Sequence, residues 1–440
     1  MSSASVGPLT HARVLKIAIP IVLSNATVPI LGAVDTGVVG QLGMAAPIGA
    51  VGIGAIVLSA IYWIFGFLRM GTTGLVAQAK GAGDEGETGA LLMRALMIGV
   101  AAGVFFIAAQ AFVIWGAFQL APASAEVEHL ARQYLSIRIW GAPATIALYA
   151  VTGWLIATER TKGVLVLQLW MNSLNILLDL WFVLGLGWGV EGVAVATLIA
   201  EWTGLALGIW LCRTAFSGGQ WLDFKRIFDP VKIKRMMAVN GDIMIRSIIL
   251  QASFTTFMFL GARFGDVTLA ANQVILQFLE ITAFALDGFA FSAEALVGAA
   301  LGAKKRKKLR RAAILTSQWG VGISIPLALF FLFAGPWLID LMATSPEVRA
   351  EARVYLPWVA AAPVIGIASW MLDGIFIGAT RTRDMRVAMF ISGIIYVIAL
   401  TVFLGPFENH GLWLSLMVLN ITRAITLGWF YPGLERSADP

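Results

Sequence analysis

Cysteine and histidine are nearly absent from this chain of 440 residues: Cys212 is the one thiol, and His11, His129 and His410 are the only imidazoles. One cysteine excludes a disulfide or a thiolate metal cluster within a single chain. Three histidines far apart in sequence, all outside or at the edges of apolar runs, argue against a zinc site or a His-activated nucleophile. No G-x-x-x-x-G-K-[ST] stretch occurs, so nothing is built to cradle the phosphates of ATP. Charge is scarce too, at 13 %, against about 25 % in a soluble domain. The chain is therefore not expected to be an enzyme or to carry a resident cofactor or metal, and any work it does must draw on an ion gradient or need no energy.

What the chain has instead is apolar length. Apolar residues make up 59 %, and twelve runs reach the ~20 residues that cross a bilayer: 14–39, 48–79, 91–118, 134–157, 163–186, 190–212, 236–262, 268–302, 312–342, 354–379, 385–405 and 411–432. The runs do not alternate polar with apolar, which rules out a membrane β-barrel and leaves helices. The first run is too long for a signal-peptide core.

Positions 221 apart keep matching. Leu75, Val76, Ala79, Gly81 and Ala82 recur as Leu296, Val297, Ala300, Gly302 and Ala303; Arg132, Tyr134 and Leu135 recur as Arg353, Tyr355 and Leu356; Arg160-Thr161-Lys162 recurs as Arg381-Thr382-Arg383. One half is written twice, and duplicated membrane halves are a common way of building a protein around a central substrate site. The expected domains are 1–215 (helices 1–6), a cytoplasmic linker 216–235, and 236–440 (helices 7–12).

On this map 23 of the 31 Lys and Arg lie in loops or at span ends on the side of the N-terminus, five (Arg132, Arg138, Arg263, Arg349 and Arg353) lie in loops or at span ends on the opposite side, and Arg69, Arg246 and Arg423 fall deeper inside spans. The positive-inside rule puts both termini in the cytoplasm. An even number of spans per half makes the repeats parallel. The basic run from Lys304 to Arg311 joins two spans and lacks interleaved aromatics, so it is explained by topology and anionic headgroups rather than by nucleic acid.

Acids inside spans are expensive in hydrocarbon and are default candidates for function. Asp35 lies five residues before Gly40 and Asp179 six before Gly185, which puts both roughly 8–9 Å below the outer end. Thr197 comes to about that depth on the inward-running sixth span, and Asn175 is one turn from Asp179 on the same face. A desolvated carboxylate holds its proton towards neutral pH, so this level reads as a proton- or cation-binding cluster. The plainer alternative is a polar network holding two helices together. Pro20 and Pro29 predict a kink or hinge in span 1. In the second half, Asp287, Glu294 and Asp373 lie towards the cytoplasmic side, as do Arg69 and Arg246. The expected pairs are Arg246 with Asp242, one turn apart, and Arg69 with Asp287 or Glu294, either as a cytoplasmic latch or as plain charge neutralisation.

Several stretches resemble one family. FLRMGTTGLVAQA from Phe67, VDTGVVGQLG from Val34, GLGWGVEGVA from Gly185 and DGFAFSAEALVG from Asp287 look like the multidrug and toxic compound extrusion (MATE) transporters, in their DNA-damage-inducible F-like (DinF) branch. The resemblance covers essentially the whole chain. It implies an all-α, V-shaped, two-lobed bundle of twelve helices in the inner membrane, exporting organic cations and other amphipathic toxins by alternating access in exchange for H⁺ or Na⁺. It implies coupling-ion roles for Asp35, Asn175, Asp179 and Thr197, and a helix-1 bend at Pro20. Small-molecule drugs, the coupling ion and the bilayer are the expected partners of a monomer. A flippase for a lipid-linked intermediate shares the superfamily architecture and is the alternative. The helix-7 acid of other branches has no counterpart between Ser247 and Leu260.

Overall fold

The computed structural model describes residues 7–120, 123–217 and 219–439, apart from the side chains of 32, 33, 36, 120 and 220. Among the described residues every regular element is helical. Span 1 is α1 (His11–Ala26) with α2 (Val28–Gly40), and span 2 is α3 (Ala45–Ile64) with α4 (Gly66–Gly81). Next come α5 (Glu85–Ala108) with α6 (Gln110–Leu120), α7 (Ala125–Arg138) with α8 (Ala142–Ala157), α9 (Thr161–Asp179) and α10 (Gly189–Leu211). A short α11 (Phe224–Ile227) precedes the second half, which holds α12 (Pro230–Gly261), α13 (Asp266–Gly302), α14 (Arg306–Met342), α15 (Pro346–Gly378) and α16 (Thr382–Arg436).

Eleven helices among the described residues are long and apolar enough to cross a membrane. The eleventh, α16, has 55 residues, about 83 Å at 1.5 Å per residue, well over two hydrocarbon thicknesses. It is interrupted at Glu408, which has φ 50° and ψ −127°. The stretches on either side each suffice for one crossing, so the polytopic chain has the twelve spans expected.

The duplication is written into the backbone. Six of the ten described residues of positive φ fall in pairs 221 apart: Gly83 (φ 75°) with Lys304 (φ 52°), Glu159 (φ 62°) with Thr380 (φ 50°), and Gly187 (φ 71°) with Glu408 (φ 50°). Helix starts repeat as well. Ser124 accepts from the amide of Val127 and Ser345 from that of Val348, each satisfying a first-turn N–H that has no partner within the helix.

The chain divides into two compact units. One comprises the chain up to Val22, Ala77–Gly83 and everything from Lys234; the other comprises Leu23–Val76 and Asp84–Ile233. The first unit is built on an aromatic core of Phe257, Phe278, Phe331, Tyr396 and Trp413. Within it, the end of α4 crosses the end of α13 so closely that a Cβ on Gly81 would strike the Ala299 carbonyl, and one on Gly302 the Gln78 carbonyl. In the second unit, Gly153 lets α8 approach the Arg69 carbonyl on α4. Its repeat mate Gly374 does the same for α15 at Ala290 in the first unit. Phe259, Phe333 and Trp429 stand outward and exposed, as lipid-facing positions of a membrane helix do.

The linker is strapped to the second unit. Arg94, buried in α5, donates to the carbonyls of Arg226 and Ile227, while Arg226 pairs with Asp84 at 2.7 Å and Lys232 with Glu87 at 2.5 Å.

Span 1 breaks at Thr27, not at Pro20. The helix α1 runs through Pro20 without interruption, whereas Pro29 sits in the first turn of α2. Pro29 lacks an N–H and its ring crowds the carbonyl four residues earlier, which places the break just upstream of it. Thr27 closes the gap by donating from both its amide and its hydroxyl to the Ser24 carbonyl.

Candidate functional site

The polar residues of α9 recur at Gln168, Asn172, Asn175 and Asp179, a spacing of four, three and four that lines one helix face. Gln168 donates to the Asn172 amide oxygen at 2.9 Å, and Asn172 donates to the Thr27 hydroxyl at 2.9 Å and the Thr27 carbonyl at 3.2 Å. The break in span 1 is thus tied to α9. Asn175 donates from Nδ2 to Asp179 Oδ2 at 2.6 Å. Asp179 is the last α-helical residue before a π-helical turn from Leu180 to Gly185, closed by the amide of Leu186 on the Trp181 carbonyl. Such turns add a residue to the ladder and recur at functional sites.

Asp35 reaches this face from α2, which packs on α9 and α3. Its carboxyl and that of Asp179 lie within hydrogen-bonding range of each other. Oδ1 of Asp35, Oδ1 of Asp179 and Oδ1 of Asn175 are nevertheless buried without a partner among the described residues. All three are acceptors, and a buried acceptor lacking a donor is costly. A proton, a cation or an ordered water would satisfy them.

The remaining expected members behave differently. Thr197 on α10 donates its hydroxyl to the Val193 carbonyl of its own helix at 3.0 Å, so shared depth does not bring that hydroxyl's proton to the acids. Arg246 pairs with Asp373 rather than Asp242, and Arg423 joins the same carboxyl from α16. Asp242 turns instead to Arg386 at 2.5 Å and Thr382 at 3.1 Å. One turn of separation allowed the Asp242–Arg246 contact, but the N-terminal end of α16 supplies Asp242 a nearer cation, freeing Arg246 to reach across to α15. Arg69 is buried on α4, and Glu294 is buried and Asp287 half-buried on α13.

Sequence reasoning missed a buried ion pair. Arg138, assigned above to an outer loop, ends α7 inside the protein and pairs with Glu201 on α10 at 2.7 Å. The signal was available: Glu201 is a carboxylate in the middle of an apolar run.

The profile of the MatE family matches this chain twice, over residues 20–181 and 243–403. DNA damage-inducible protein F of Escherichia coli (strain K12) is 37 % identical over 419 residues, covering 93 % of this chain and 90 % of that protein. Protein DETOXIFICATION 44, chloroplastic, of Arabidopsis thaliana is 25 % identical over 95 % of this chain and 81 % of its own length. Among solved structures, a mutant of the Vibrio cholerae MATE transporter VcmN superposes with a TM-score of 0.87 at 21 % identity, over 97 % of each chain. A MOP superfamily transporter from Pyrococcus furiosus does so at 0.85 and 18 %, over 98 % of this chain and 97 % of that one. At these identities the superpositions speak for the fold.

Proposed function

The chain belongs to the MatE family, and from that premise we propose that it is a secondary active multidrug efflux antiporter, exporting organic cations and other amphipathic toxins by alternating access in exchange for H⁺ or Na⁺. The observation that carries this is the trio of buried, donorless oxygens on Asp35, Asn175 and Asp179. Gln168 and Asn172, one to two turns away on the same face, bond to one another and to Thr27 instead. Acceptors left over beside two carboxyls are what a site needs if it is to load and unload a cation. Asp35 and Asp179 are the coupling carboxyls in this reading and Asn175 orients Asp179. Pro20 is retained as a point where α1 bends in another state of the cycle.

With the loop charges as counted from the sequence, the protein sits in the bacterial inner membrane with both termini in the cytoplasm. It works as a monomer and without catalytic chemistry. The test is efflux of a cationic dye from proteoliposomes under an imposed pH gradient and, separately, an imposed sodium gradient. Dye movement driven by neither would refute the antiporter reading.

A further inference from the structure

A cavity unrelated to the acid pair lies within the first unit. The opening turns of α12, from Arg235 to Asp242, and the turn from Thr380 to Asp384 that leads into α16 enclose about 490 Å³. Positions 235, 238, 239 and 242 line it from α12 and share one face of that helix. In the orientation proposed above it lies on the cytoplasmic side.

The charges around it do not balance. Asp242 is matched by Arg386 at 2.5 Å and Asp384 by Arg381 at 2.6 Å. Two further guanidiniums line the cavity without an acid. Arg235 donates to Gln78 Oε1 at 2.8 Å and to the Thr380 hydroxyl at 3.5 Å, both uncharged. Arg383 has no partner among the described residues. Gln78 holds the arrangement by donating from Nε2 to the Gly378 carbonyl at 3.0 Å and to the Thr380 hydroxyl at 2.9 Å. The Thr380 oxygen therefore accepts twice and keeps its own proton to donate.

Membrane topology does not account for this arrangement. The preference for cations in cytoplasmic loops explains position 383, whose mate 221 residues earlier is Lys162. In that other half, however, Val14, Ile21 and Glu159 stand where Arg235, Asp242 and Thr380 stand here. The duplicated scaffold thus does not need these groups in order to fold.

We propose that this cavity binds a phosphate group, held by Arg235, Arg383 and the Thr380 hydroxyl. Guanidinium matches phosphate oxygens with parallel hydrogen bonds and stays charged at any working pH. Two uncompensated cations suit an anion of one or two negative charges. The volume is that of a pocket for a small organic molecule, enough for a phosphate and the glycerol or sugar that carries it. The source is either an anionic phospholipid at the membrane surface or a phosphate compound dissolved in the cytoplasm.

Neither arginine leaves an acid behind and both stand exposed, so the test uses Arg235→Gln/Arg383→Gln. Arg383→Gln alone removes no bond and serves if the double variant is unstable, and Lys162→Gln is the matched change in the other half. The full chain in detergent is titrated with phosphatidylglycerol and with phosphatidylcholine, read by native mass spectrometry, and with inorganic phosphate, read by calorimetry. Wild type and Lys162→Gln should bind phosphatidylglycerol or phosphate and discriminate against phosphatidylcholine. Each arginine removed should weaken that binding about tenfold. Phosphatidylglycerol retained against excess phosphate supports the site and identifies the lipid; phosphate that binds alone or displaces it supports the site and identifies the soluble ligand. Wild type that binds neither, wild type that holds phosphatidylcholine equally well, or arginine variants that bind as wild type does overturn the proposal.

Discussion

Asn175 donates to Oδ2 of Asp179 at 2.6 Å while Oδ1 of the same carboxyl has no donor among the described residues. One oxygen is thus fixed in place and the other left open, which distinguishes the two acids chemically. An amide at Asp179 must choose between turning its NH₂ against Asn175 and turning it towards Asp35. An amide at Asp35 meets no such conflict with Asn175.

Asp35→Asn is therefore expected to abolish gradient-driven efflux at wild-type expression and membrane insertion, since the amide keeps the shape and cannot exchange a proton. Asp179→Asn should be severe as well and should also loosen the site. Transport assays at matched protein abundance decide this, and normal efflux by the Asp35 variant would contradict the assignment.

Asp373 carries both Arg246 and Arg423 in a buried cluster. Asp373→Asn leaves two guanidiniums without their counter-charge and is expected to destabilise the protein by about 3–5 kcal/mol. Arg423→Met leaves a one-to-one pair and should be tolerated far better. Comparing the melting temperatures of the detergent-solubilised variants checks the order, and equal stabilities would refute it.

Glu408 has a positive φ, as glycine does at position 187. Glu408→Gly should raise stability by about 1–2 kcal/mol, because an L side chain at φ 50° and ψ −127° is strained by ~1–3 kcal/mol and glycine's extra chain entropy returns part of that. Gly187→Ala should lower it by a similar amount. Unfolding midpoints of the two variants should move in opposite directions.

Cys212 caps α10 just past its last residue, and burial pushes its thiol up to about 12, with Arg160 opposing. The native thiol should resist maleimide at pH 8 and label rapidly only after denaturation. Keeping the thiol neutral helps the fold fully below the ordinary value of 9.0, and that contribution is lost as pH rises from there through about 12. Fast native labelling at pH 8 would show the site open.

The features that run along the chain were legible in its sequence. The spans and the acids of α2 and α9 each depend on neighbours a few turns away, and the 221-residue register needs only the chain laid against itself. Helix rise alone brought Asp35, Asn175 and Asp179 to one level. Depth says nothing about direction around the helix axis or about rotamer, and the Thr197 hydroxyl gives its proton to Val193 of its own helix. Contacts between distant segments stayed hidden. Arg138 and Glu201 are 63 positions apart and Arg246 and Asp373 are 127 apart, and no local spacing announces either pair. Proline was half informative: the break lies at Thr27, two residues before Pro29, and α1 runs on through Pro20.

The crossing of Gly81 over Ala299 and of Gly302 over Gln78 is a two-fold contact inside one polypeptide: each member's counterpart, 221 positions on, makes the same contact in reverse. That is the signature of a self-complementary dimer interface. Were the halves separate and identical chains, one mutation at this glycine would damage both contacts at once. In the fused chain the two positions vary independently, so each contact can be disturbed on its own. A pair of half-length proteins meeting at this crossing is the simplest forerunner that the geometry describes.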